Sequence, residues 1–214
     1  MFDIQVKASA LAAYGTHWVL WLLVALSVIG IAIIIERAVL LLSSRDDIDR
    51  LRAEVRRALA KGERDRALHR LEESTSFEAR VALAALGADS VDGAEQRMAG
   101  EGQMAKIQME KHLAFLGTVA SNAPFVGLLG TVIGIVRAFH ELGGSGAQVS
   151  AGLMIEIGQA LIATAIGLLV ALPAVAFFNL FQRTIRIRLA RADALGREVL
   201  AHFDAVRGAA SGSR

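Results

Sequence analysis

The chain contains no cysteine, which excludes disulfides and thiolate metal sites but does not fix the compartment. Its five histidines, His17, His69, His112, His140 and His202, are scattered without ligand spacing, so no metal site is read from them. Neither sign of charge dominates: the formal net charge is +2, which gives no global case for nucleic-acid binding. Proline occurs only twice, at Pro124 and Pro173, both inside apolar runs. Those runs hold no nucleophile–base pair, no HExxH and no pair of catalytic aspartates, so an intramembrane enzyme is not expected. No cofactor is expected either.

What the chain has in abundance is apolar sequence, at 54% of its 214 residues. This is gathered into three blocks, and each is long enough for a helix to cross a bilayer core of about 30 Å. A helix satisfies its own backbone in lipid, so three membrane-spanning helices are expected. The first block covers 18–42. It exceeds the usual ~7–15-residue apolar stretch of a cleaved signal and is read as a retained span, with Trp18 and Trp21 at one interface. The other two blocks, 113–140 and 151–182, form a hairpin around the turn 141–150.

The polar remainder lies mostly in 43–112, which holds 13 Lys/Arg and 14 Asp/Glu. Leu51, Val55 and Leu59 recur every fourth residue, and Asp46 is placed to pair with Arg50. Gly62 ends that helix. Further helices are expected at about 65–72, at 77–86, and from Ala94 straight into the second span. Mixed signs mark this segment as a solvated helical surface rather than a binding patch. Beyond 182, Ile185, Leu189, Ala192, Val199 and Phe203 continue at three- and four-residue steps, so 183–214 is read as a packed helix and a flexible end. The loop and this tail carry 20 of the 23 Lys/Arg, which places both in the cytoplasm and the N-terminus 1–17 and the turn 141–150 outside.

Polar residues inside the hairpin need partners or a function. Gly127, Gly130 and Gly134 on the second span, and Gly167 with Ala160, Ala163, Ala171 and Ala174 on the third, are close-packing patterns. Pro124 frees the carbonyl of residue 120 and is expected to kink the span, with Ser121, Asn122 or water meeting the freed group; Pro173 is the corresponding kink in the third. Glu156 lies angularly between Gln159 and Thr164, making a polar side. Glu156 either has a function of its own or pairs with Arg137, and Arg137 has a local alternative in Glu141. The hydroxyls of Thr131 and Thr164 either orient water or bond their own helices.

The paired stretches APFVGLLGTVIGIVRAF and QALIATAIGLLVALPAVAFFN resemble the ExbB/TolQ family of proton-channel proteins, with flagellar MotA subunits as more distant relatives. The resemblance implies an all-α, three-span protein of the bacterial inner membrane, with long helices extending into the cytoplasm. It further implies a homopentamer around a central pore, embedded in membrane lipid and binding no nucleic acid. An ExbD/TolR-like single-span partner would sit in that pore and carry the proton on an aspartate, and a TonB/TolA-like protein would receive the motion. It carries the pore threonines onto Thr131 and Thr164, with Glu156 and Gln159 beside the pathway, and an asparagine onto Asn179. Where the family often has a glutamate, this chain has Gln159, which cannot titrate. An ExbB-like motor for TonB-dependent transport is the expected function, driven by protons on family grounds. The alternatives are a TolQ-like subunit for envelope maintenance, a gliding-type motor, or a non-conducting scaffold.

Overall fold

The computed structural model describes residues 17–44, 46–144 and 151–212, all of them helical or in short connections. The helices are α1 (His17–Ser43), α2 (Ile48–Ala60), α3 (Arg64–Glu72), α4 (Phe77–Leu86), α5 (Val91–Glu110), α6 (Leu113–Gly144) and α7 (Ala151–Gly212). The N-terminal expectation for 1–16 and most of the expected turn, 145–150, lie outside the described residues. Among the described residues, three helices, α1, α6 and α7, are long and apolar enough to cross a membrane. The described residues divide into two compact units, one lying within 1–35 and 112–179, the other within 36–111 and 180–214.

In the first unit, α6 and α7 bury a stripe of small residues against each other, and all three long helices expose many large apolar side chains. Ala123, Ala160 and Ala163 are buried, while Val28, Ile31, Phe125, Phe139, Leu161, Leu169 and Leu172 stand exposed. So much exposed aliphatic surface would be a liability in water and suits a surround of lipid tails. Helix α6 runs unbroken through Pro124 and α7 through Pro173. The donors expected to serve the carbonyl of residue 120 go elsewhere: Ser121 Oγ donates to Gly117 O at 3.0 Å and Asn122 Nδ2 to Thr118 O at 2.9 Å. Both side chains reach back to carbonyls of their own preceding turn, the geometry that short polar side chains favour in a helix.

The second unit has a core of its own. Leu51, Val55 and Leu59 of α2 pack with Ala67 and Leu71 of α3, Ala79, Ala82 and Leu86 of α4, Ala94 of α5, and Leu195 and Val199 of α7. The charge-rich segment is therefore a solvated surface over a helical core. Side-chain caps set its helix starts. Asp47 accepts from Arg50 N at 3.1 Å, Ser76 from Ala79 N at 3.2 Å and Ser90 from Gly93 N at 3.1 Å. Gly62, at φ 74°, adopts the left-handed conformation that ends α2.

Two local expectations are corrected. Asp46 precedes α2 and lies 3.7 Å from Arg70, whereas Arg50 makes its i,i+4 pair with Glu54 at 3.0 Å. Helix α5 begins at Val91, capped by Ser90, and does not run into the second span. Lys111 leaves helical geometry, and His112 takes φ 65°, a left-handed conformation rare outside glycine.

Candidate functional site: the hairpin seam

The seam between α6 and α7 is made by the absence of side chains. A Cβ at Gly127 would lie 2.8 Å from Ala163 O, and one at Gly167 would lie 2.7 Å from Ala123 O. At Gly134 it would meet Ala160 Cβ at 2.5 Å. The first two are contacts with backbone and the third is with a methyl side chain; in a membrane such packing relies on dispersion and close approach rather than on expulsion of water. Gly130 is buried as well.

Glu156 lies on this seam. Its Oε1 is 3.5 Å from Arg137 Nη2, and the two side chains retain 15% and 32% of their exposure. The second oxygen, Oε2, is buried without a hydrogen-bond partner among the described residues. The Glu141 side chain, the other candidate for Arg137, lies outside the described residues.

Helix geometry then sorts the remaining polar groups. At about 100° per residue, Gln159 and Thr164 fall roughly 60° and 80° to either side of Glu156. Glu156, Gln159 and Thr164 therefore do not form one exposed polar face: Glu156 points along the seam and the other two flank it. Because α6 and α7 are antiparallel, Thr131, about 80° from the centre of the α6 seam, comes to the same side of the hairpin as Thr164. Both threonines are half-buried, as is Gln159. Their hydroxyls differ. Thr131 Oγ1 donates to Leu128 O at 2.7 Å, within its own helix, whereas Thr164 Oγ1 is buried without a partner among the described residues. Asn179 is exposed.

A buried ion pair in the second unit was not read from the sequence. Arg188 Nη2 lies 2.7 Å from Glu78 Oε2, with side chains 6% and 2% exposed. A signal for it was present. Ile185, Arg188, Ala192, Leu195 and Val199 are spaced as one helical stripe, so the arginine holds a core position.

Residues 69–194, which contain the whole seam, match the MotA/TolQ/ExbB proton channel family. The match covers more than half of the chain. The chain belongs to this family. It is accordingly a multi-pass membrane protein of a channel family, not of an enzyme family.

Among its relatives, the biopolymer transport protein ExbB of Aquifex aeolicus (strain VF5) is 44% identical over 88 residues, covering 39% of this chain and 60% of the relative. A putative biopolymer transport protein ExbB-like 2 of Helicobacter pylori (strain ATCC 700392 / 26695) is 40% identical over 88 residues, 41% of this chain and 59% of the relative. ExbB of Xanthomonas campestris pv. campestris (strain B100) is 39% identical over 107 residues, 50% of this chain and 40% of the relative. The chain thus matches three-fifths or less of the length of each of these relatives.

Proposed function

We propose that this family member is an ExbB-like stator subunit of a motor driven by the proton-motive force in the bacterial inner membrane. Five copies would enclose a single-span partner similar to ExbD, and the motion would be passed to a TonB-like protein that energises transport across the outer membrane. The observation that carries this reading is that the family match includes both hairpin helices with their polar residues. Two of the relatives named above are ExbB proteins and the third is a putative ExbB-like one, which supports this role over a TolQ-like one.

In this reading the spans are 18–42, 113–140 and 151–182, with the N-terminus and the turn 141–150 outside and the loop 43–112 and the tail 183–214 in the cytoplasm. The threonine side of the hairpin, Thr131 and Thr164, faces the pore. A hydroxyl both donates and accepts, so it can orient water or meet a carboxyl group. Gln159 does not titrate, and within residues 113–182 the described carboxylate, Glu156, already has Arg137 as its partner. The proton-carrying carboxylate is therefore assigned to the partner protein.

Native mass spectrometry of the complex, extracted gently from its own membrane, tests the assembly. Five copies with one or two copies of a single-span protein are expected. A monomer or dimer without such a companion overturns the proposal. Within an intact complex, Thr131→Val with Thr164→Val should abolish proton-driven function, and the Thr→Ser counterparts should retain it.

A further inference from the structure

The Glu78–Arg188 pair has a consequence separate from the motor reading and independent of it. Taking both charges out of water costs several kcal/mol per ion, and only near-complete hydrogen bonding offsets that. Arg188 has it. Its Nε donates to Glu78 Oε1 at 2.9 Å and its Nη2 to Glu78 Oε2 at 2.7 Å, a two-pronged fork on one carboxylate. The remaining N–H groups go to the end of α1. Nη1 donates to Ser44 Oγ at 2.7 Å and to Leu41 O at 3.3 Å, and Nη2 donates to Ser44 O at 2.5 Å. All five donors of the guanidinium are thus engaged, and the ring of Phe77 lies 5.1 Å from its centre.

One side chain on α7 therefore holds two other elements. It donates to the carbonyl of Leu41 in the last turn of α1 and to that of Ser44 just beyond it, and it holds the first turn of α4 through Glu78. The apolar contacts elsewhere in this unit are non-directional and tolerate small slides. A five-donor fork admits one register.

We propose that Arg188 is a clamp, a positioning residue that makes the last turns of α1 and the adjoining part of α7 move as one body, with Glu78 fixing the arginine's orientation. Net stability is not its main contribution, because a buried pair of this kind is often replaceable by apolar side chains without loss. Its contribution is the fixed geometry, within this unit, between the end of α1 and α7.

Hydrogen exchange read by mass spectrometry tests the clamp on the full chain in nanodiscs. Three forms are compared: wild type, Arg188→Lys, and the double variant Arg188→Met/Glu78→Met. Lysine keeps the charge but cannot form the fork. Exchange in the peptide covering residues 41–48 should rise about tenfold or more in both variants, while peptides covering 51–59 and 79–86 stay as in wild type. The double variant should keep its thermal midpoint within about 4 °C. Wild-type exchange at 41–48 in either variant overturns the proposal. So does uniform loosening of the whole unit with a lowered midpoint in the double variant, which would make the pair only a contributor to stability.

Discussion

At the scale of single residues, glycine and charge decide the hairpin by opposite means. Gly127 and Gly167 bring backbone to within contact of backbone, so any side chain there must push the helices apart. Gly167→Leu should cost about 1–3 kcal/mol or prevent the hairpin from forming, read as lost monodisperse protein on extraction or a lowered thermal midpoint. A Cβ at Gly158 would meet nothing within 4 Å, so Gly158→Ala should leave the same readouts unchanged. Arg137 and Glu156 act as a pair. Removing one partner leaves the other without a counter-charge inside an apolar helix pair, so Arg137→Met or Glu156→Gln alone should lower the midpoint more than the two together.

At the scale of elements, the second unit rests on one periodic stripe and a set of caps. Leu51 is completely buried, and Leu51→Ala should destabilise by about 2–5 kcal/mol in thermal or denaturant unfolding. Arg56, exposed on the same helix, should tolerate alanine within about 0.5 kcal/mol. The start of α2 also has a pH dependence. The hydroxyl of Ser74, with Arg70 nearby, holds the Asp46 carboxyl below its usual range, and hydrogen bonds from Arg70 and Arg50 do the same for Glu54. Both carboxyls release their protons more readily in the folded protein than in the unfolded chain. Their contribution is therefore fully present above the unfolded carboxylate range of about 4 and is lost as pH falls through the lower folded values. The thermal midpoint should drop on acidification from about pH 5 to pH 3, and less so in Asp46→Asn/Glu54→Gln. An equal drop in that variant would assign the acid sensitivity to other groups.

At the scale of the whole molecule, the lack of cysteine makes orientation testable without background reaction. Single cysteines at Gly146, Gln103 and Ala201 can be probed with a membrane-impermeant thiol reagent in spheroplasts. Gly146→Cys should react from outside, and Gln103→Cys and Ala201→Cys only after lysis, since basic residues gather on the side that is not translocated. The reverse pattern would overturn the topology and, with it, the proposed exit of force toward the outer membrane.

How far the sequence reached follows from the range of each interaction. Membrane-crossing length is a property of composition, and helix starts such as Ser76 and stops such as Gly62 are set within four residues, so the three apolar helices and α4 were legible directly. The small residues of the seam were legible as well, because a close-packing spacing is written along one helix. Three-dimensional placement decided the rest. Asp46 found Arg70 rather than Arg50 because the chain folds back through α3, and nothing local favours one arginine over the other. The break at Lys111–His112 has no glycine or proline to announce it. The sequence by itself determined that this protein lives in a membrane, with a polar hairpin of a recognisable family. The tertiary structure decided which way its charges turn: Glu156 toward Arg137 in the seam, and Arg188 inward to Glu78. The physical reason is that apolar length acts locally, whereas a charge in a low-dielectric interior takes its place from partners far along the chain.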